Sequence, residues 1–502
     1  MQSLSRAELP DDVEALKGMI INQSYELEKL RSQIAGLRRH QFGVKSEALD
    51  QLEMLLDDME ARQAAIIDPD ALPETADPKD QPKRKPLPGH LPREEERHGL
   101  DQTDCASCGK PMRKMAEDVR EILDYVPGNF VVKRHVCEKY ACRDCGTIAK
   151  APAPSMPIEK GAPGAGLLAN VLISKYCDHL PLYRQSEIYA REGVDIPRST
   201  MAGWIGKMSN LLAPIAERIE AHVLEGEAIH TDDTPIPVLD PGRGKTKTGR
   251  LWAHVRDERP HGSPSPPAAF YKYSGDRKGE RPREYLKNYK GFLHADGYAG
   301  YEKLYGDKIR EVACMAHVRR KFFDIHKATN SPIAEEALKR IAALYEIEKR
   351  IRGKPPGERA RVRQDEAKEK FEALHDWLQA RLPSVPGRGE LAKAMRYAIT
   401  RMKRMKAYLK DGRLELDNNI AERSVRVVAI GKKNYLFAGS DNGGMSAAVI
   451  YSLVETAKLN GVDPHAWLTH VIANIADHPM KQIDELLPWN WRHQGIGDSL
   501  AG

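Results

Sequence analysis

Apolar residues at Val13, Leu16, Ile20, Leu27, Leu30, Ile34 and Leu37 advance in alternating steps of three and four, with Gln23 in the one polar place of the series. This seam predicts a helix within residues 1–60 that buries itself against a second helix, where one polar residue helps to fix register. A coiled coil between copies and a helix packed on its own domain both satisfy the pattern. Arg38-Arg39-His40 at its end places positive charge where phosphates could be met. From 61 to 98 the periodicity stops. Pro69, Pro73, Pro78, Pro82, Pro86, Pro88 and Pro92 interrupt every helix among dense charges, which predicts a linker without a core.

After residue 165 the spacing is helical again. Leu182 to Gly193 reads as one helix stopped by glycine, and Pro197-Arg-Ser-Thr200 opens another over Met201 to Leu212. Helix, glycine turn and capped helix outline a helix-turn-helix and equally an ordinary helical hairpin. From 226 the texture is β-rich, with runs at Ala228 to Leu239, Arg250 to Arg256, Ala268 to Tyr273, Gly291 to Asp296 and Glu311 to Met315. An opening meander, then strands with a helix between them, suits an α/β sheet of RNase H type. Residues 327–410 return to a basic helical pattern, and the tail from Ala447 is helical.

Composition adds little until the cysteines. The chain has 502 residues, enough for roughly three or four domains. Its 78 basic and 72 acidic residues give a net charge of +6, which permits nucleic-acid binding without demanding it. No run reaches the roughly 18 apolar residues of a membrane span, and the N-terminus lacks the charge-then-apolar order of a signal peptide. Of seven cysteines, five fall between Cys105 and Cys145, a clustering that reads as metal binding in a reducing cytoplasm. Cys105-Ala-Ser-Cys108-Gly and Cys142-Arg-Asp-Cys145-Gly are two C-x-x-C knuckles, each with the glycine that permits a tight turn. Four such thiolates converge on one tetrahedral Zn2+, a closed structural site. The stretch Ile122 to Val136 between them reads as a β-hairpin, and Cys137 as a bystander.

Three acids stand out by context. Asp232 lies between a strand and a hydrophobic run, Asp296 ends a short strand before Gly297, and Glu422 sits on a helix opened by Asp417-Asn418-Asn419. Two strand-borne acids and one helix-borne acid can meet at one sheet edge. They would hold a pair of Mg2+ (or Mn2+) ions about 4 Å apart, the arrangement phosphodiester chemistry uses. Asp233 is the rival of Asp232, because neighbours on a strand face opposite ways. Glu422 could instead pair with Arg426 one turn on. Arg423, Arg426, Lys432 and Lys433 form a basic run beside the proposed ions, where DNA phosphates would lie.

Thr231-Asp232-Asp-Thr-Pro-Ile-Pro-Val-Leu, His294-Ala-Asp296-Gly-Tyr-Ala-Gly-Tyr and Asp417-Asn-Asn-Ile-Ala-Glu422-Arg resemble the three catalytic blocks of insertion-sequence transposases of the "sixty-six" family. Gly431-Lys-Lys-Asn-Tyr-Leu-Phe437 and Gly461-Val-Asp-Pro464 resemble its C-terminal region, and the heptads and cysteine knuckles fit it too. The resemblance implies a multidomain α+β protein: a coiled coil at 1–60, the linker at 61–98, a zinc-ribbon-like module at 99–150 and a helical piece at 151–225. An RNase H-like catalytic domain would follow at 226–326 and 411–455, interrupted by a helical insertion at 327–410 and followed by a helical tail at 456–502. It implies a DDE triad at Asp232, Asp296 and Glu422, transposon-end and target DNA as partners, a homodimer or higher assembly, accessory proteins of the same element and a nucleoid-associated cytoplasmic location. The family's usual Asp-Glu-Thr is Asp232-Asp233-Thr234 here. Cys314-Met-Ala-His317 resembles a C-x-x-H element of related transposases, with a structural or DNA-strand role ahead of a second zinc; Arg319 and Arg320 beside it join the DNA-facing cations. An inactive DNA-binding repressor of its own element is the alternative to an active transposase.

Overall fold

A computed structural model describes residues 87–491, apart from 88, 90, 100–103, 105, 106, 127, 159, 160, 162 and 241–244. The heptad segment, most of the linker and Cys105 lie outside the described residues. Everything below belongs to one compact unit, Pro86–Gly502.

The strands are β1 Arg93–His98, β2 Arg113–Val126, β3 Asn129–Ala141, β4 Ile148–Lys150, β5 Ala228–Val238, β6 Lys247–Arg256, β7 Ala268–Ser274, β8 Gly291–Ala295 and β9 Ile309–Ala313. The helices are α1 Ala165–Tyr176, α2 Leu182–Arg191, α3 Arg198–Leu224, α4 Glu280–Tyr285, α5 Met315–Thr329, α6 Pro332–Ile351, α7 Pro356–Val362, α8 Lys368–Arg381, α9 Glu390–Met405, α10 Asn419–Tyr435, α11 Asp441–Leu459 and α12 Pro464–Asn474.

The smaller sheet is built on the expected hairpin, longer than its apolar centre suggested. β2 and β3 pair antiparallel from Arg113↔Ala141 to Val126↔Asn129, and β4 adds to β3. β1 lies parallel to β3 from Arg93↔Val132 to His98↔Cys137. The end of the expected linker is therefore a strand: past Pro92 nothing interrupts Arg93–His98, and an edge strand tolerates its run of charges.

The larger sheet has the order β7-β6-β5-β8-β9. β5–β6–β7 form an antiparallel meander, while β5–β8 and β8–β9 are parallel. β5 carries two prolines, which a central strand usually excludes. Its pairing with β8 spans only Ala228 to His230. Beyond that, the Pro237 carbonyl faces away from β6 to accept the Ala438 N–H at 2.9 Å. Pro237, and Pro235 two residues before it, therefore turn their missing N–H to the side with no ladder to complete. The outer edge of β7 is closed by α11, whose Ser452 and Thr456 hydroxyls accept the N–H groups of Tyr271 (2.8 Å) and Ala269 (3.1 Å). Such a cover removes the liability of an open edge.

One apolar core joins Phe130 and Val132 of β3 to Leu167, Met208, Trp252, Leu293, Leu453 and Trp467. The pieces expected at 99–150, 151–225 and 456–502 thus share a core with the larger sheet. α3 continues twelve residues past its expected end at Leu212, through Pro214, because Ile215, Ile219 and Val223 are fully buried. Burial of three such side chains exceeds the ~3 kcal/mol that an internal proline costs. A second core binds α5, α6, α8 and α9 beneath β8 and β9 through Phe292, Val312, Phe322, Leu344, Phe371 and Met402. The helical insertion thereby sits under the strands that lead into Asp296 and Cys314.

Candidate active site

The parallel register of β5 and β8 ends at His230↔His294. Asp232 and Asp296 each follow that last pair by two residues, Asp232 still within β5 and Asp296 just past the end of β8. Asp232 lies within β5, where a strand end was expected. The backbone N–H of Asp233 donates to Asp232 Oδ1 at 2.8 Å. Burial, then the charge of Asp296, with smaller effects of Asp233 and Glu422, push the Asp232 carboxyl up to about 7. A buried acid among like charges holds its proton or gains a cation. Asp296 Oδ1 accepts the Tyr298 N–H at 3.0 Å, and Arg401 donates to the Gly297 carbonyl at 3.3 Å.

Asp233 faces the other way, as the alternation of a strand requires. Its side chain is 1% exposed and lies between Arg250 (3.0 Å) and Arg277 (2.7 Å). Arg277 also approaches Asp296 Oδ2 at 3.8 Å and stacks over Tyr298 at 4.1 Å. Asp233 is neutralised by protein cations and has no capacity left for an ion.

Glu422 stands in the first turn of α10, over the Asp232 face of β5. The device that docks this helix is Asn418, whose residue type by itself promises only a cap. Its amide donates to the Thr231 carbonyl at 2.8 Å, and its oxygen is 3.1 Å from His230 Nδ1. Burial pushes His230 down to about 4, so the ring is neutral and its Nδ1–H is the donor. The Asn418 backbone N–H donates to Cys314 Sγ at 3.1 Å. One buried asparagine thus ties β5 to α10 and to the start of α5.

Glu422 Oε2 pairs with Arg320 of α5 at 3.0 Å and not with Arg426, while His317 Nδ1 lies 3.5 Å from Oε1. Among the described residues, the clusters whose ligand atoms all lie within 4.8 Å of one another include Cys314–His317–Glu422 but not the three acids together. Arg320 is engaged with Glu422. Lys432 is tied to Thr234 Oγ1 (3.0 Å) and the Pro235 carbonyl (2.6 Å), so it braces β5. Arg319, Arg423 and Arg426 are exposed on the same side chains' helices.

On the smaller sheet, Cys108 Sγ lies 3.5 Å from Cys142 Sγ and 3.7 Å from Cys145 Sγ. Gly109 (φ +68°) and Gly146 (φ +72°) adopt the left-handed turn expected after each knuckle. Backbone N–H groups of Cys145 and Asp144 aimed at the Cys142 sulfur hold that thiol below its ordinary value. Cys137 is buried away from this cluster, with Pro152 as its neighbour.

An α/β sheet with one acid in β5 and another just past the end of β8, a glutamate helix docked on β5 and a thiol cluster on an appended sheet defines a multidomain protein with two candidate metal centres. The profile described as "Transposase IS66 family" matches residues 160–446, and "IS66 C-terminal element" matches 452–489. "Zinc-finger binding domain of transposase IS66" matches 102–146, and "Transposase C of IS166 homeodomain" matches 29–95. The chain belongs to the IS66 transposase family. It is 39% identical to the uncharacterized protein y4hP of Sinorhizobium fredii, over 94% of this chain and 89% of that one. It is 36% identical to y4qI of the same organism, over 98% and 99% of the two chains. The homeodomain-type match spans the end of the heptads and most of the linker, and includes Arg38-Arg39-His40. The transposase and zinc-finger matches support DNA as the partner. Among the described residues, no helix is long and apolar enough to cross a membrane.

Proposed function

We propose that the chain is an active DDE transposase that cuts the ends of its insertion sequence and transfers the freed strands to target DNA. The observation that carries this reading is that Asp232 and Asp296 each follow the last β5–β8 pair, His230↔His294, by two residues, with the Asp232 carboxyl raised by burial and then by the charge of Asp296. The sheet order, three antiparallel strands followed by two parallel ones, supports an RNase H-type catalytic domain interrupted by the helical insertion. The carboxylates of Asp232, Asp296 and Glu422 are hard oxygen ligands suited to Mg2+ or Mn2+. Bound there, a pair of such ions would activate the attacking oxygen and stabilise the leaving one. Glu422 reaches that centre by turning from Arg320 and His317. Arg319, Arg423 and Arg426, with Arg320 once released, receive phosphates. Residues 1–60 pair copies of the chain, and the protein works in the cytoplasm on the nucleoid.

Alanine at Asp296 or Glu422 is expected to abolish magnesium-dependent nicking of end DNA while leaving end binding in a gel shift unchanged. Nicking at the wild-type rate by either variant overturns the triad. End binding without nicking by the wild-type protein favours the repressor.

Cys105, Cys108, Cys142 and Cys145 are proposed to hold one structural Zn2+. Cys142→Ser is expected to remove that zinc and to expose Lys110–Lys150 to rapid amide exchange, because binding energy of such sites is folding energy. Exchange over the larger sheet should stay slow. Retention of full zinc by Cys142→Ser would count against this ligand set.

A further inference from the structure

Cys314, His317 and Glu422 form a second, smaller constellation beside the acids. Cys314 precedes the first residue of α5, and His317 follows one turn on, so both side chains face α10. His317 Nδ1 and Glu422 Oε1 lie 3.5 Å apart. Each atom is out of contact with solvent, and neither has a hydrogen-bond partner. Leaving two such atoms unsatisfied is costly unless something sits between them. Cys314 Sγ completes a group whose three ligand atoms lie within 4.8 Å of one another. Ligand atoms on one tetrahedral zinc stand ~3.3–3.8 Å apart, so small rotations close the set.

We propose that Cys314, His317 and Glu422 bind a zinc-class divalent cation, and that this site competes with the catalytic ions for Glu422. A thiolate, an imidazole and one carboxylate oxygen select a thiophilic ion over magnesium. The backbone N–H of Asn418 donates to Cys314 Sγ at 3.1 Å and fixes the position of the sulfur. Arg320 occupies Oε2 at 3.0 Å, leaving Oε1 as the ligand. Three protein ligands leave a fourth position open. With Oε1 committed to this ion, α10 stays docked on α5 and Glu422 is withheld from Asp232 and Asp296. The competition rests on the DDE reading; the binding does not.

The full-length protein, isolated with its knuckle zinc, is to be titrated with cobalt(II) and its total metal measured. At least one metal per chain beyond the knuckle zinc is expected, with a thiolate-to-cobalt charge-transfer band saturating at one equivalent of cobalt. Cys314→Ser should lose that band, since cobalt held by carboxylates alone gives none. His317→Ala, at a position 25% exposed, should weaken cobalt binding at least tenfold and guards against misfolding of the serine variant. One metal per chain in the wild type, or a band unchanged in both variants, overturns the site. In magnesium-dependent nicking, zinc in excess of the knuckle should inhibit the wild type and spare Cys314→Ser. Equal inhibition of both overturns the competition alone. If the wild type does not nick at all, the DDE reading fails while the metal count still decides the site.

Discussion

Asp232→Asn is expected to abolish strand cleavage and, at the same time, to stabilise the metal-free protein, whereas Asp233→Asn should do the reverse. The two residues are neighbours with opposite electrostatics. Asp232 is a buried carboxyl raised from 3.8 to about 7 by burial and by Asp296. A carboxyl whose folded pKa lies above its unfolded one contributes stability below pH ~4, and loses it as pH rises through the folded value. Above pH 7 the ionised Asp232 therefore costs on the order of 2–4 kcal/mol, which asparagine relieves. In EDTA, the urea midpoint of Asp232→Asn should exceed that of wild type at pH 8, and the gap should close towards pH 4. Magnesium should close it at pH 8 as well, by stabilising only the wild type. Cleavage should fall at least ~10²–10³-fold, since a ligand and not a mere contact is removed. Asp233→Asn leaves Arg250 and Arg277 without their shared anion. Both keep some access to solvent, 20% and 37%, so the loss is about 2 kcal/mol and not the full cost of a dry charge. An unchanged midpoint in Asp232→Asn at pH 8, or lost cleavage in Asp233→Asn at wild-type stability, would reverse the assignment.

This contrast was half legible in the sequence. Strand alternation says that only one of two adjacent aspartates faces a given side, but the side depends on register. Register is set by β8, 64 residues away (294 − 230), through the pairing that ends at His230↔His294. The glycines after Cys108 and Cys145 were legible because a left-handed turn leaves a direct mark on composition. Helix boundaries were less so: Pro214 argues locally for a stop, and only the burial of Ile215, Ile219 and Val223 against the sheet carries α3 onward. The common core of the smaller sheet, the first three helices and α12 had no signal at all, because apolar faces do not say which partner they meet. Asn418 illustrates the same limit. Its residue type promised a helix cap, yet its side chain spans to Thr231 and His230, contacts 187 and 188 positions apart along the chain.

The largest stability effect is expected far from the acids, at Glu348. Two guanidinium groups are almost wholly buried in the helical insertion: Arg363 at 0% and Arg359 at 1% exposure. Glu348 of α6 meets Arg363 at 2.6 Å and Arg359 at 3.4 Å. Arg359 also has Glu415 at 2.6 Å, whereas among the described residues the carboxylate paired with Arg363 is Glu348. The remaining donors of Arg363 reach the carbonyls of Tyr408 (3.0 Å), Asp411 (3.1 Å) and Leu414 (2.9 Å), and Arg359 reaches that of Gly412 (2.8 Å). These carbonyls belong to the segment that leads directly into Asp417, Asn418 and the glutamate helix. Glu348→Ala strands a dry charge and should cost about 3–5 kcal/mol. Glu348→Gln keeps the shape and one acceptor and should cost less, on the order of 1–2 kcal/mol. Because the carbonyl anchors weaken together, amide exchange over 408–418 should accelerate in Glu348→Ala while β5, β6 and β7 stay protected. Strand cleavage should fall with it, as Glu422 loses its fixed approach, and end binding should persist. A shift in the urea midpoint corresponding to less than about 1 kcal/mol, with exchange over 408–418 unchanged, would show that the arginine pair is anchored by the carbonyls and not by Glu348.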